Sequence, residues 1–329
     1  MNRDKKPLTA YGGFVPPRDL STEQVLTIVH ELLPDASVAE LVRLDGGESG
    51  GAHLVTFADD HEPIVVKVYR KGYGVAAAKE AYAYRLLRRS GFTAIPRLLG
   101  GAASKDSPID RPYLVMSALP GASAEALIPD STDDEVAAIY RQLGTAMRAV
   151  HAIKRDGFGF RLSTSEGAQA TNSAFMRRVF DARAAKYLEQ TGDRETFDAA
   201  TRYVDEREWL FGLCRSAVLV HGDFHEGNVI LEPGPDGPVV SGVIDLENSK
   251  AGDPMIDFAT LHKYDIRGDR LKLDALFQGY GSVPEQFDAR RRLYELVHDF
   301  ELWAWFSEEG RHDYLAGAVA DIRTLIAEG

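Results

Sequence analysis

Three oxygen-bearing side chains in the second half of the chain lie at the ends of strand-like apolar runs. Asp223 and Asn228 belong to the octet at residues 221–228, between the apolar residues 217–220 and 229–231, and Asp245 ends the run at residues 239–244. Strand ends on a rigid framework can direct such side chains toward one point. An aspartate, an asparagine five positions later and a second aspartate after a strand are typical of phosphoryl transfer, with one catalytic carboxylate and two metal-holding groups.

A lysine inside an apolar strand gives a second candidate for the same chemistry. Lys67 lies in the run at residues 64–69, where a buried ammonium group is costly unless it is paired. Glu80 lies near the start of a helical pattern that follows, and it is well placed to be the partner. A strand lysine held by a helix glutamate orients nucleotide phosphates in kinases. The alternative for Glu80 is an exposed acid at a helix start, favoured by the helix dipole.

Four glycines within residues 46–51 separate two strand-like runs, and glycine lets backbone N–H groups approach an anion closely. Ser49, Gly50 and Gly51 are therefore candidates for nucleotide binding, although such a stretch is also typical of a simple hairpin turn. Farther on, Pro120 and Gly121 interrupt a strand pattern and predict a hinge. The backbone of Ser117 and Leu119 is the predicted contact for a purine edge, and an ordinary linker is the alternative.

The remaining patterns supply the elements around these residues. Strand-like runs occupy residues 38–44, 53–57, 64–69, 97–102 and 113–116, and a capping box at Ser21 and Gln24 predicts the first helix. Beyond the hinge the periodicity is helical, including residues 174–190, 195–214 and 285–328. These patterns predict an N-terminal nucleotide-binding lobe over residues 1–118, with an irregular lead-in at 1–19, and a catalytic and acceptor-binding lobe over 119–329.

Composition excludes several classes of protein. A formal net charge of −12 argues against a nucleic-acid partner, because phosphate binding requires basic patches. A single cysteine, Cys214, excludes a disulfide within one chain. No signal-peptide pattern opens the sequence, and no run approaches the roughly 18 apolar residues that span a bilayer. A cytoplasmic enzyme or binding protein without a membrane partner is expected.

The C-terminal helices carry several acids among their apolar positions. Asp299 and Glu301 belong to this group and are candidate acceptor contacts, as is Glu247 next to the third apolar run. A solvated acidic face is the alternative for the C-terminal acids. Acids in an acceptor pocket would favour an amine-bearing molecule.

The ordered set of motifs resembles the aminoglycoside phosphotransferase family, which are small-molecule kinases. The resemblance rests on His-Gly-Asp223 with Asn228, on Asp245-Leu-Glu247, on Gly-Asp-Pro with Asp257 and on the segments around Lys67, Glu80 and the hinge, so that it covers roughly residues 40–265. It implies an α+β, two-lobed protein-kinase-like fold with a small antiparallel sheet and one key helix in the N-terminal lobe and a larger, mainly helical C-terminal lobe. The glycine stretch departs from the strict kinase glycine loop, and no motif covers residues 266–329.

The resemblance also implies roles for the candidate residues. Asp223 would accept or orient the proton of the acceptor hydroxyl, Asn228 and Asp245 would hold Mg²⁺, and Lys67, oriented by Glu80, would contact the phosphates of ATP or GTP. The expected reaction is transfer of the γ-phosphate to a hydroxyl of a small molecule, foremost an antibiotic, which would confer resistance. A metabolic kinase for choline, homoserine or a sugar remains open, as does a non-catalytic nucleotide-binding pseudokinase. The sequence leaves the acceptor and the role of His225 undetermined.

Overall fold

The computed structural model of the protein describes residues 20–44, 50–235 and 237–328. Its strands are β1 Val38–Leu44, β2 Gly50–Phe57, β3 Ile64–Tyr69, β4 Leu98–Ala102, β5 Tyr113–Ser117, β6 Ala122–Ser123, β7 Val218–Val220, β8 Val229–Gly234, β9 Gly237–Val243 and β10 Lys250–Gly252. Its α-helices are α1 Thr22–Leu32, α2 Gly74–Arg89, α3 Ala124–Leu127, α4 Asp133–His151, α5 Asn172–Thr191, α6 Arg194–Arg207, α7 Met255–Leu261, α8 Arg270–Tyr280, α9 Phe287–Glu308 and α10 His312–Ala327.

The first sheet has the antiparallel order β1-β2-β3-β5-β4. Strand β3 lies at its centre, with every residue except Val65 buried. Helix α1 begins with the predicted capping box, in which the Ser21 and Gln24 side chains each accept a backbone N–H from the other residue. Its apolar face packs onto the sheet, with Ile28 and Val29 in the same buried cluster as the strand residues. This sheet places Lys67 in the interior.

The last two glycines of the predicted turn lie in a strand, whereas residues 45–49 lie outside the described residues. Gly50 and Gly51 lie in β2 itself, where they pair with Tyr69 and Val68 of β3. Both glycines accept the extended backbone that the sheet ladder requires, so the strand continues through positions that the composition suggested were a loop.

A second, smaller sheet has the order β6-β8-β9 and forms around the predicted hinge. Gly121, just before β6, has φ +101°, and a Cβ there would lie 1.9 Å from the carbonyl oxygen of Leu231. Only glycine fits this position, because any side chain would overlap the backbone of β8. The close approach allows β6 to pair with β8.

The chain forms two compact units, each assembled from separate stretches. Unit 1 contains the described residues up to Glu135 together with Gly227–Ser249, and unit 2 contains Val136–Glu226 together with the residues from Lys250 onward. Unit 1 holds both sheets just described. The sequence-based division into lobes at residues 1–118 and 119–329 stays a prediction.

Unit 2 is mainly helical, and its core contains apolar side chains of α4, α5, α7 and α9. The helix predicted over residues 195–214 is α6, which ends at Arg207 and continues as a 3-10 helix, Glu208–Leu213. The segment predicted helical at 285–328 is two helices, α9 and α10, separated around Gly310 with φ +68°. The predicted α+β class is confirmed, with an antiparallel sheet in the N-terminal part and a mostly helical remainder. Among the described residues, no helix combines the length and apolar character needed to cross a membrane.

Candidate active site

Lys67 is the centre of a buried charge cluster in unit 1. Its Nζ lies 2.7 Å from Oε2 of Glu80, 2.8 Å from Oδ1 of Asp245 and 3.1 Å from Oε2 of Glu247. Burial disfavours the ammonium charge, but Asp245 and then Glu80 outweigh it and raise the pKa of Lys67 well above its usual value. The lysine is therefore a fixed cation, and the predicted pairing with Glu80 is present in the structure.

Two tyrosines also hold the fully buried Glu80. Tyr69 donates to Oε2 of Glu80, and Tyr84 donates to Oε1 at 3.0 Å. Burial and the charge of Glu80 raise the pKa of both phenols well above the usual value, so both remain donors. Sequence reasoning missed both residues, although Tyr84 lies four positions after Glu80 on α2 and Tyr69 two positions after Lys67 on β3, which are same-face spacings.

The hairpin of β8 and β9 carries the two candidate metal-holding residues. Asn228 immediately precedes β8 and Asp245 follows β9, and the backbone N–H of Ile244 donates to the Asn228 carbonyl at 3.0 Å. Val229 pairs with Val243, so the two strand ends lie side by side. Asp245 adopts a left-handed backbone, φ 63° and ψ 52°, and its N–H donates to the Tyr84 hydroxyl at 3.2 Å. The paired strands of this hairpin thus place the backbones of Asn228 and Asp245 close to each other.

Oxygens suited to a divalent cation converge in the Lys67 cluster. One carboxylate oxygen from each of Glu80, Asp245 and Glu247 lies within 4.8 Å of the others. Hard oxygen donors of this type match Mg²⁺, which uses few protein ligands together with phosphate and water. Asp245 and the neighbouring carboxylates therefore suit the metal that the sequence implies, and the role of Asn228 as a second ligand stays a prediction.

Asp223 lies in unit 2 on a loop whose backbone is fixed by a buried carboxylate. The N–H groups of His221 and Gly222 donate to Oδ2 and Oδ1 of Asp257 at 2.8 and 2.7 Å, and Nε2 of His151 lies 2.9 Å from Oδ2. Burial opposes the charge of Asp257, but the hydrogen bond from His151 leads the interactions that lower its pKa. Asp257 is fully buried and is thus an ionised support for the residues that precede Asp223. The sequence motif contains this residue, but the motif alone gives no sign that it contacts the octet.

A pocket in unit 2 has Gly222, the residue directly before Asp223, in its lining. The lining also includes Lys250, Phe160, His298 and Glu301. Burial, followed by the charges of Lys263 and Lys250, lowers the pKa of His298 to about 3, so the imidazole is neutral. The pocket therefore combines an aromatic wall with a cationic, an anionic and several neutral polar side chains.

The three predicted acceptor contacts occupy different surroundings. Glu247 contacts Lys67 in unit 1, whereas Glu301 lines the pocket beside Gly222. Asp299 is 1% exposed and pairs with Lys263 at 2.7 Å. Burial raises the pKa of Asp299 to about 7, and Lys263 counters part of that rise. A solvated face, the alternative for these C-terminal acids, is wrong for Asp299.

The predicted nucleotide contacts are placed as follows. Ser49 lies outside the described residues, and the backbones of Gly50 and Gly51 belong to β2. Ser117 donates its N–H to the Arg97 carbonyl at 2.9 Å, so this group is already used within the sheet. Leu119 lines an open depression of unit 1 together with Ser117 and packs over Gly242 of β9. Their roles in binding nucleotide stay predictions.

The fold and motifs agree with comparisons to known proteins. Residues 40–296 match the model of the phosphotransferase enzyme family, and the chain belongs to that family. A viomycin phosphotransferase from Streptomyces vinaceus is 32% identical over 164 residues, which cover 49% of this chain. The match spans about half, 52%, of that curated relative.

Solved structures share the fold at low sequence identity. A thermostable mutant of aminoglycoside phosphotransferase APH(4)-Ia, in a ternary complex with ADP and hygromycin B, is 21% identical with a TM-score of 0.69, over 93% of this chain and 99% of that one. The GDP complex of aminoglycoside 2'-phosphotransferase-IIIa is 14% identical with a TM-score of 0.68, over 94% and 99%. At these identities the likeness shows the fold alone.

Proposed function

We propose that the protein is an O-phosphotransferase that moves the γ-phosphate of ATP or GTP to a hydroxyl of a small-molecule antibiotic and thereby confers resistance. The contact of the buried Lys67 with Glu80 and Asp245 carries the proposal, because a cation held in this way matches the phosphate-orienting lysine of kinases. The family, the name of the viomycin-phosphorylating relative and the nucleotide complexes of the structural neighbours support it. Because the donor is a nucleoside triphosphate, we propose a cytoplasmic location.

Each residue group has a proposed task. Lys67, held by Glu80 and the two tyrosines, contacts the donor phosphates as a fixed charge. Asn228 and Asp245 would hold Mg²⁺, which would supply positive charge against the donor phosphates. Gly50, Gly51, Ser117 and Leu119 contribute to the nucleotide site, and Ser49 is proposed from the sequence alone.

Asp223 orients the acceptor hydroxyl and accepts its proton. The acceptor oxygen forms a bond to the γ-phosphorus while the bond from that phosphorus to the β–γ bridging oxygen breaks, and the nucleoside diphosphate leaves. The protein contributes mainly positioning and charge to such a reaction, since little covalent chemistry is required. Asp257 fixes the backbone on which Asp223 lies, so that the carboxylate is presented from a rigid loop.

The pocket beside Gly222 is the proposed acceptor site, and Glu301 is its proposed anionic contact. The presence of Lys250 next to the aromatic Phe160 favours an acceptor with an apolar or uncharged part besides any amine. Glu247 is assigned instead to the Lys67 cluster on the strength of its 3.1 Å contact.

A nucleotide-consumption screen tests this function. ATP and GTP are each incubated with Mg²⁺ and with aminoglycosides, peptide antibiotics, nucleoside antibiotics, macrolides and metabolic alcohols, and products are examined by mass spectrometry for an added phosphate. Phosphorylation of an antibiotic supports the proposal, whereas a product from choline, homoserine or a sugar alone replaces it with a metabolic kinase. Nucleotide binding without any product identifies a non-catalytic protein.

The variant Asp223→Asn gives the matching residue test. We expect it to abolish transfer while nucleotide affinity survives, because the proton acceptor is lost but the Lys67 cluster is intact. Asp274→Asn is the control, since Asp274 is an exposed acid on α8 that pairs only loosely with Arg270 at 3.9 Å. Near-full turnover by Asp223→Asn refutes the role of Asp223.

A further inference from the structure

A buried hydrogen-bond network in unit 2 holds Glu226, which lies three residues after Asp223 in the same loop. Glu226 is 7% exposed, and its Oε1 accepts from the Tyr140 hydroxyl at 2.6 Å and from Nζ of Lys272 at 2.8 Å. The backbone N–H of Glu226 donates to Oδ2 of Asp265 at 2.8 Å. Both the side chain and the backbone of this residue are therefore held.

The groups that hold Glu226 come from separate elements of unit 2. Tyr140 lies on α4, and Lys272 lies in the first turn of α8. Asp265 lies in a π-helical turn, His262–Ile266, that ends at Arg267 in a left-handed conformation with φ 48°. Such turns are rare in proteins and are frequent at functional sites. This turn makes the Asp265 carboxylate available to a neighbouring loop.

Among the described residues, Lys272 is the only cationic side chain that forms a hydrogen bond or ion pair within this network. It also donates to the Asp265 carbonyl oxygen at 3.1 Å, and its ammonium group lies 5.1 Å from the centre of the Tyr140 ring. Its side chain is 13% exposed, so the pairing with Glu226 is little screened by solvent. Loss of this lysine would leave the two acids facing each other without its compensating charge.

The negative charges of Glu226 and Asp265 repel each other. Burial, and then the charge of Glu226, raises the pKa of Asp265 to about 7, whereas the Glu226 N–H, His225 and Lys272 act to lower it. The Glu226 N–H, His225 and Lys272 thus share the compensation of the Asp265 charge, and Lys272 is the one of them that also pairs with the Glu226 carboxylate. No motif of the sequence covers Lys272, and its distance of 46 positions from Glu226 explains why periodicity did not reveal it.

We propose that Lys272 and Asp265 are positioning residues for Asp223: by holding Glu226, they keep the loop that carries the catalytic carboxylate in its reactive geometry. The proposal rests on the proposed function of Asp223. It assigns a role in the reaction to Asp265 and Lys272. These residues lie at and beyond the end of the segment, roughly residues 40–265, that carries the sequence motifs. A misplaced catalytic group lowers the rate constant more than substrate binding, because small displacements cost about 100-fold in rate.

The test compares Lys272→Met, Lys272→Arg, the double variant Glu226→Gln with Lys272→Met, and Asp265→Ala. Lys186→Met is the control, because Lys186 is a partly buried lysine of unit 2, 23% exposed and paired with Glu308, outside the proposed catalytic and binding groups. Steady-state kcat and KM are measured for nucleotide and acceptor. Amide hydrogen exchange is followed in peptides that span residues 219–231.

We expect Lys272→Met to lower kcat by about 10- to 100-fold while the nucleotide KM changes less than about twofold, and to increase exchange in the loop. Lys272→Arg, which keeps the charge, and the double variant, which removes the unpaired acid, should recover most of kcat. Lys186→Met should retain kcat and loop protection. Unchanged kcat and exchange in Lys272→Met, or a double variant no better than the single one, overturns the proposal.

Two safeguards keep the result decisive. If Lys272→Met does not fold, Asp265→Ala removes the acceptor of the Glu226 N–H and leaves the Lys272–Glu226 pair in place; full kcat and loop protection in that variant overturn the proposal. If the wild-type protein phosphorylates no acceptor, the proposed function fails, but the exchange experiment still reports whether Lys272 holds the loop. The two failures are therefore distinguished.

Discussion

Replacing Lys67 by methionine should strongly destabilise unit 1, even without nucleotide. The ammonium group lies within 3.1 Å of Glu80, Asp245 and Glu247, and its side chain is only 10% exposed. Methionine retains most of the volume but leaves three acids around an apolar group. Removing one partner of a buried ion pair costs about 3–5 kcal/mol, because the remaining charge is uncompensated. For a unit of this size, we expect a melting temperature about 6–20 °C lower.

The assay is urea unfolding followed by circular dichroism, together with nucleotide titration by calorimetry. The double variant Lys67→Met with Glu80→Gln should recover about 1–2 kcal/mol, since the neutral amide still accepts from Tyr69 and Tyr84. Lys71→Met is the control, because Lys71 is a largely exposed lysine of the same unit, paired with Asp110. A Lys67→Met protein as stable as the wild type would refute the electrostatic account of the cluster.

Three further substitutions test other parts of the site. Asp257→Asn should cost about 3 kcal/mol of unfolding free energy and lower kcat, measured by denaturation and steady-state kinetics. Because the folded pKa of Asp257 is lowered, its contribution is complete above the ordinary carboxyl pKa and is lost as pH falls through the folded value, so the difference from wild type should shrink in acid. Asp245→Ala should weaken Mg²⁺-nucleotide binding by at least about tenfold, and unchanged calorimetric affinity contradicts its metal role. Glu301→Gln should raise KM for a cationic acceptor while the nucleotide KM stays constant.

Local chemistry explains what the sequence predicts well. The capping box at Ser21, the strands of the first sheet and the amphipathic α4 follow from patterns within a few residues. The partnership of Lys67 and Glu80 is predictable because a buried lysine requires a counterion, and Glu80 opens the following helical pattern. In each case the residue type itself requires a particular neighbour: the helix start requires a cap, and the buried lysine requires a counterion.

Contacts between segments that are distant in the sequence could not be predicted from local residue patterns. Asp245 contacts Lys67 across 178 positions, and although the residue patterns assigned both to phosphoryl transfer, they did not predict that the two side chains pair. The contact of Glu247 with Lys67, the support of Asp223 by Asp257 and the Glu226–Lys272 pair depend on tertiary packing. Gly50 and Gly51 were expected in a turn because glycine favours turns, but strand pairing outweighed that preference.

The division of unit 1 into two stretches of sequence affects how the protein is made. The first sheet with Lys67, and α2 with Glu80, are synthesised before residues 136–226, and the hairpin that precedes Asp245 is synthesised only after them. At bacterial and eukaryotic elongation rates this delay is on the order of ten seconds. A nascent or prematurely terminated chain that ends before Asp245 thus lacks one of the counterions of Lys67 and a candidate metal ligand. Translation products that end before Asp245 therefore cannot assemble the complete charge cluster around Lys67.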